Sequence, residues 1–455
     1  MGLSGLEIYK QLPKTNCKEC GMPTCLAFAM KLAAKQAELS ACPHVSEAAK
    51  QALDAASAPP IRLVTVGTGD KKVEVGNETV LFRHDKTFYH APGIFVRVRD
   101  TDSADEVAAK AKAVATYQVE RVGMTMSASG LAVENASGDA AKFAACVQAV
   151  AKESDQPLIL MSKDQAAMTA ALPAVADRKP LIYAADKDNW QGMVELAKKH
   201  GCPLAIREEG GLSALASLSE QVTKAGVADL VLDPGGRTAA ENLAAFTQLR
   251  RLALRKNLRL VGYPLIGFAG DGAADAAEEL AFAGQQVMKY GGFIVIDHFS
   301  PADIYALLTL RLNIYTDPQK PIQVKPDVYA FGEADEKAPV LITTNFSITY
   351  FSVAGEIEAS GVPTHLVVAD SEGLSVLTAW AAGKFDAEKI AKSVKSLNIA
   401  DKVSHRYIVI PGYVSTLSGE IEEELPGWKV LVGPREAVDI STYLRRTWAG
   451  VIGKN

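Results

Sequence analysis

Four of the six cysteines in this 455-residue chain stand within its first 42 positions, at Cys17, Cys20, Cys25 and Cys42. Thiolates are metal ligands, and four of them can hold a zinc ion or enclose an iron–sulfur cluster. Structural zinc usually takes two close cysteine pairs. Here the spacing is C-x2-C-x4-C-x16-C, one close pair followed by two singles. Such a path can wrap a bulky cubane on several sides, and Gly21 permits a tight turn after Cys20. A [4Fe-4S] cluster is therefore the expected occupant, with zinc as the alternative. The pattern matches neither common ferredoxin spacing. Cys146 sits in the apolar "KFAACVQAV" and Cys202 opens "GCPLAI". Both read as small core residues rather than nucleophiles.

The elements that must position these thiols come next. "CLAFAMKLAAKQAEL" is rich in helix formers, and Leu26, Met30, Ala33 and Ala37 recur at helical spacing. This helix is expected to lie over the cluster with that apolar face. Pro59 and Pro60 in "ASAPPI" then form a stiff linker. The first domain is placed at residues 1–57.

From about residue 90 the rhythm changes to short apolar runs alternating with Ala-rich amphipathic stretches. The runs are 94–98, 120–124, 157–161, 180–184, 203–206, 229–232, 259–263 and 292–296. Several open with proline, which a strand tolerates at its first residue. Eight strands with helices between them predict a (β/α)8 barrel over residues 58–325. A second α/β pattern follows over 326–455, with strands at 340–343, 364–368, 407–410 and 429–432. Alternation argues for parallel pairing in a Rossmann-like or flavodoxin-like sheet. Ligands of such open sheets bind outside the carboxyl ends of the strands. Four Gly-, Ser- and Thr-rich turns stand there: "TTNFSITY", "DSEGLSVL", "PGYVSTLSG" and "GPREA". None carries a G-x-G-x-x-G or phosphate-loop signature.

The net charge of −5 gives no reason to expect nucleic acid. No run of 18 apolar residues suggests a membrane helix, and the N-terminus does not read as a secretory signal. A cytoplasmic, reducing setting follows as the expectation, and clustered cysteines there bind metal more often than they form disulfides.

"GLEIYKQLPKTNCKECGMPTCLAFAMKLA", "TTNFSITYFSVAGEIE", "DSEGLSVLTAWAAGKFDAEKI" and "VGPREAVDI" together resemble the large subunit of the corrinoid iron–sulfur proteins of the reductive acetyl-CoA (Wood–Ljungdahl) pathway. The resemblance runs the length of the chain. It implies one [4Fe-4S] cluster on Cys17, Cys20, Cys25 and Cys42, a barrel, and a C-terminal corrinoid domain. It further implies a heterodimer with a small subunit. The implied work is methyl transfer. A Co(I) corrinoid takes a methyl group from methyltetrahydrofolate, presented by a separate methyltransferase, and passes it to acetyl-CoA synthase. The cluster returns Co(II) to Co(I), drawing on a low-potential donor such as ferredoxin.

A corrin ring carries many amides, so its host needs hydroxyls, backbone groups and flexible turns at close approach. By resemblance the strongest candidates are Thr344, Tyr350, Leu374, Ser375, Val376, Leu377 and Ala437. Gly373, Gly412, Gly433, Pro434, Arg435 and Glu436 complete the set. None of the seven histidines has Asp two positions before it, so the Asp-x-His motif that supplies a lower cobalt ligand is missing. That agrees with the resembled family, whose cobamide is bound base-off without a histidine. Two rivals remain: a barrel methyltransferase that binds the pterin itself, using Asp233 and Arg237 of "DLVLDPGGRT", and a pure iron–sulfur electron-transfer protein.

Overall fold

The structure, a computed structural model, describes residues 5–33, 37, 39–46, 49–50, 59–121, 124–317 and 322–452. The expected boundary at 57/58 lies outside them. At the front, helices Gly5–Gln11 and Cys25–Ala33 pack around Ile8, Leu12, Phe28, Ala29 and Val45. The expected helix continues no further among the described residues, since positions 34–36 and 38 fall outside them. Its buried face also differs from expectation. Cys25, Phe28 and Ala29 turn inward, while Leu26 (38 % exposed) and Met30 (51 %) face outward. Cys25, Phe28 and Ala29 pack on Ile8, Leu12, Cys42 and Val45, and a helix has only one face to give them. The 26/30/33 stripe is thereby turned away.

A hairpin, β1 (Val64–Thr68) and β2 (Lys71–Val75), precedes the barrel. Then come β3 (Gly93–Arg99), a second hairpin β4 (Val119–Arg121) and β5 (Met124–Met126), and β6 (Gly130–Glu134). β7 (Leu158–Met161), β8 (Leu181–Ala185), β9 (Leu204–Arg207), β10 (Leu230–Asp233), β11 (Leu265–Phe268) and β12 (Gly291–Ile296) follow. β3 and β6–β12 close into a parallel barrel in chain order, β12 pairing with β3.

Two expected strands are misplaced by the sequence reading. Of residues 120–124, Glu120, Arg121 and Met124 belong to the β4–β5 hairpin outside the barrel, the other two lie outside the described residues, and the barrel strand is Gly130–Glu134. "GLAVE" has weak strand propensity, whereas "VERVGMTM" alternates with β-branched residues and attracts the assignment. Residues 259–261 form a 3-10 turn, and the strand starts after Pro264. The same offset recurs after Pro157 and Pro203. Their carbonyls accept from Leu131 N (3.2 Å) and Ile182 N (3.0 Å), so each proline joins the ladder through the only backbone group it can offer.

The barrel interior is filled. Phe95, Phe293, Ile159, Ile266, Tyr183 and Phe268 meet Val64, Val66 and Val75 of the first hairpin, which closes the amino-terminal end. Gly67 N bonds Lys179 O and Arg62 N bonds Gly262 O at that same end. The last barrel helix, Pro301–Ile314, also finishes there, with Arg83 donating to Ile314 O. At the opposite end a charged network closes the mouth. Arg97, 4 % exposed, reaches Asp271 and Asp297, each at 2.6 Å. Arg99 adds Asp297 at 2.7 Å and Glu134 at 3.1 Å.

The last sheet has five strands: β13 (Val328–Phe331), β14 (Val340–Thr344), β15 (Thr364–Ala369), β16 (Tyr407–Ile410) and β17 (Lys429–Val432). Their order is β13-β15-β14-β16-β17, all parallel except β13 against β15. Val340 and Ile342 pack toward one helical layer, Leu341 and Val409 toward the other. Both faces are therefore covered, as continuous apolar strands require. The edge strand β13 is an addition to the expected set. It occupies the start of "YAFGEADEKAP". Further along that stretch, Glu336 O accepts from Ser404 N at 2.8 Å.

Burial works against the Asp297 carboxylate, but Arg97 and Arg99 prevail and hold it below the usual range. The stability it contributes is present above about pH 4 and fades as pH falls through its depressed value. Arg97→Leu leaves two half-buried carboxylates short of a partner, at an expected cost of about 3 kcal/mol near neutrality. Denaturant unfolding as a function of pH checks this: the deficit relative to wild type is largest at neutral pH and shrinks in acid. A deficit that is flat across pH contradicts it.

Candidate functional site

The cysteine site is built on a loop. Between the first two helices the backbone turns left-handed at Lys14 (φ 60°), Asn16 (51°), Lys18 (68°) and Gly21 (76°). Alternation of this kind points backbone N–H groups into a shared concavity suited to an anionic centre. Cys17 and Cys20 stand on this loop, half-buried. Cys25 opens the second helix, its N–H held by Asn16 Oδ1 at 2.8 Å, and Cys42 follows a short 3-10 turn. Cys25 and Cys42 are buried, and all the cysteines are unbridged. Sulfurs around a tetrahedral zinc lie about 3.8 Å apart, given Zn–S of about 2.3 Å. Among the described residues no three cysteine sulfurs lie within 4.8 Å of one another. A sequence reading misses the pair beside them: His44 Nε2 stands 3.0 Å from Glu19, and both lie within 4.8 Å of Cys17 Sγ. Cys146 and Cys202 are buried in the barrel layer, where burial pushes their thiols up to about 12 and about 11. They match the core reading.

The second site lies in the last domain. β14 and β16 are neighbours, yet the chain leaves β14 toward β15 on one side and β16 toward β17 on the other. At this reversal a cavity of about 240 Å³ opens beyond the carboxyl ends of the strands. Thr343, Val409 and Pro411 form its floor. Helix Ser347–Ser360 supplies Ile348, Thr349, Ser352 and Val353, and the turn after β17 supplies Gly433, Pro434, Arg435, Glu436 and Ala437. Val376 and Tyr413 close the sides, with the Tyr413 hydroxyl bonded to Glu436. Apolar side chains stand exposed nearby, among them Ile348 (65 %), Leu377, Trp380 and Val438 (67 %). The Thr343 and Thr344 hydroxyls are buried without a hydrogen-bond partner. An unpaired buried hydroxyl costs about 1–3 kcal/mol, which a polar ligand group can recover.

The sequence candidates divide. Val376, Gly433, Pro434, Arg435, Glu436 and Ala437 line the cavity. Thr344 ends β14 beside it. Gly373, Leu374, Ser375 and Leu377 sit on the loop after β15 and around the start of helix Val376–Ala381, adjoining Val376. The Tyr350 ring turns from the cavity onto Tyr329, 5.1 Å between centroids, and Phe351 at 5.5 Å. Gly412 does not line the cavity but backs its wall, its N–H donating to Pro434 O at 2.9 Å. A Cβ there would fall 2.6 Å from Gly433 O, so this glycine exists to let two loops meet. Ile348, Thr349, Ser352 and Val353 are absent from the sequence candidates. Their signal is helical spacing continued past the "TTNFSITY" turn.

In the barrel, Asp233 is saturated. It accepts from Tyr183 Oη (2.6 Å), Gly235 N (2.8 Å) and both terminal nitrogens of Arg237 (3.1 and 2.9 Å). Such a carboxylate is a structural strut with no acceptor position left for a substrate.

Fold and site together define a three-part chain: a cysteine-lined module, a filled barrel, and a doubly wound domain with a ligand cavity at its switch point. Sequence comparison gives this class its place. The model of the family described as "CO dehydrogenase/acetyl-CoA synthase delta subunit" matches residues 63–444, and that of the FeS family matches residues 12–44. The "Corrinoid/iron-sulfur protein large subunit" of Moorella thermoacetica is 47 % identical over 449 residues, covering 99 % of this chain and 100 % of that one. The "Acetyl-CoA decarbonylase/synthase complex subunit gamma" of Methanothermobacter thermautotrophicus is 35 % identical over 98 % of this chain and 99 % of its own length. That of Archaeoglobus fulgidus is 36 % identical over 98 % of each. This chain belongs to the family of corrinoid/iron–sulfur protein large subunits and acetyl-CoA decarbonylase/synthase gamma subunits.

Gly412→Ala is expected to force the Gly412 and Gly433 turns apart and to lower stability by about 1–3 kcal/mol. Chemical denaturation checks it; an unchanged midpoint would mean the two turns separate freely.

Proposed function

We propose that this chain is the methyl-carrying large subunit of a corrinoid iron–sulfur protein in the reductive acetyl-CoA pathway. The observation that carries the reading is the end-to-end match to the Moorella relative, which spans cysteine module, barrel and cavity domain alike. When bound, the corrinoid supplies a cobalt that accepts and donates a methyl group, and the cluster supplies single electrons.

The chain's own contribution is holding and access. Cys17, Cys20, Cys25 and Cys42 hold a [4Fe-4S] cluster in a loop whose N–H groups favour its charge. The cysteine spacing along the chain, one close pair and two singles, supports a cubane over zinc. At the switch point, the unpaired Thr343 hydroxyl lies in the cavity lining and suits a ligand amide, Thr344 joins it by resemblance, and the exposed apolar rim suits the face of a ring. The segment Gly373, Leu374, Ser375, Val376 and Leu377, together with Gly433–Ala437 by position and Tyr350 by resemblance, forms the proposed binding set.

Base-off binding without a histidine is part of the proposal. Both histidines of the last domain stand at the amino ends of strands, opposite the cavity. His365 begins in β15 beside Asp335 O (3.3 Å), and His405 precedes β16 and bonds Ala338 O (2.9 Å). Without a protein nitrogen below the metal, low oxidation states are easier to reach.

The proposed partners are a small subunit forming a heterodimer, a methyltetrahydrofolate methyltransferase, acetyl-CoA synthase and a low-potential donor such as ferredoxin. The proposed setting is the cytoplasm. Among the described residues no helix is long and apolar enough to cross a membrane. The saturation of Asp233 gives pterin binding in this barrel no support.

Air-free purification with the small subunit should yield one cobalt, four irons and four labile sulfides per chain, counted by metal and sulfide analysis. Electron paramagnetic resonance of the corrinoid in its Co(II) state should lack nitrogen splitting from below. Zinc in place of iron, or an imidazole signature, would defeat the respective part. Cys20→Ala should strip iron and slow reductive reactivation while sparing methyl transfer by chemically pre-reduced protein. Equal loss of both activities would remove the relay role from the cluster.

A further inference from the structure

Asn345 follows the last residue of β14, is buried, and does not line the cavity. Its side chain is nonetheless fully engaged. Oδ1 accepts from Ser371 N (3.0 Å), Ser371 Oγ (2.7 Å) and Gly373 N (2.9 Å). Nδ2 donates to Asp370 Oδ1 (3.2 Å) and Gln323 Oε1 (3.4 Å). The loop it grips is one that would not hold its shape unaided. Glu372 (φ 56°) and Gly373 (φ 75°) are consecutive left-handed residues, and for Glu372 that conformation is unfavourable. Lys384 fastens the Glu372 carboxylate at 2.5 Å. Gln323 packs under Gly373, where a Cβ would fall 2.7 Å from its Cγ. Gln323 also forms a β-bridge with Phe346, and Val324 N bonds Asn345 O at 2.9 Å, just where the chain arriving from the barrel joins this domain.

We propose that Asn345 is a positioning residue for corrinoid binding: with Gln323 and Ser371 it clasps the 370–374 loop so that the adjoining 374–377 segment is preformed before the ligand arrives. The inference rests on the corrinoid reading of this domain. Its physical basis is preorganisation. A loop ordered in advance spares the ligand the entropic cost of ordering it. Removing the carboxamide leaves two buried backbone donors unsatisfied and frees two left-handed residues to relax.

The test uses full-length chain with its small subunit, as wild type, Asn345→Ala, Ser371→Ala and Gln323→Ala. Three readouts are taken: amide hydrogen exchange across residues 370–377 in corrinoid-free protein, corrinoid affinity by absorbance titration, and iron content. Asn345→Ala is expected to speed exchange at 371–374 and to weaken corrinoid binding about ten-fold or more, with iron unchanged. Ser371→Ala keeps the bonds from Ser371 N and Gly373 N to Asn345 Oδ1, loses only the long bond from Asn345 N to Ser371 Oγ (3.3 Å) and the hydroxyl's own contacts, and is expected to lose about two- to three-fold. Wild-type affinity and wild-type exchange in Asn345→Ala would overturn the clasp. If that variant does not fold, wild-type affinity in both Ser371→Ala and Gln323→Ala would overturn it. If wild-type protein takes up no corrinoid, the functional reading fails, and the exchange data alone then decide whether the clasp exists.

Discussion

β14 and β16 lie side by side, but the polypeptide departs from them toward opposite edges of the sheet. No connection passes directly over the gap between their carboxyl ends, so that gap is left to side chains from flanking elements. The helix after β14 supplies one wall and the turn after β17 the other. The wall after β17 can come close only because Gly412 and Gly433 have no side chains between them. The cavity is thus a product of strand order first and residue choice second. The hydroxyls and apolar rim then decide what kind of molecule it suits.

The cysteine module solves its positioning problem by different means. Its described residues form no sheet and only a small core, so the thiols are aimed by backbone conformation. Left-handed residues bend the loop carrying Cys17 and Cys20, and Asn16 fixes the start of the helix that carries Cys25. The same demand explains why Leu26 and Met30 face outward. A nine-residue helix cannot direct Cys25 and Phe28 inward and bury the 26/30 stripe as well. Over Cys25–Ala33, packing against the first helix and Cys42 outranks the 26/30 stripe.

Much of the architecture is legible in the sequence because strands and helices alternate with different periods. The barrel, the parallel sheet and most of their strands are read from short apolar runs. The failures share a cause: local propensity outweighs closure. "VERVGMTM" looks more like a strand than "GLAVE", yet only Gly130–Glu134 can complete the ring between β3 and β7. The first hairpin escapes notice because its role, filling the barrel floor, is purely tertiary. At the cavity, turn residues rich in glycine and hydroxyls are visible in the sequence. The helix face carrying Ile348 and Ser352 is not, since its residues look like any apolar helix. Asn345 and Gln323, 22 positions apart, form one hydrogen-bonded unit that no local pattern could disclose.

The plugged floor of the barrel has a topographic consequence. The segment arriving from the cysteine module is stitched there through Arg62 and Gly262, and the last barrel helix ends at that same floor beside Arg83. Both neighbouring domains therefore join the barrel at a single rim, with the charged mouth at the far side. The barrel acts as a common mooring post.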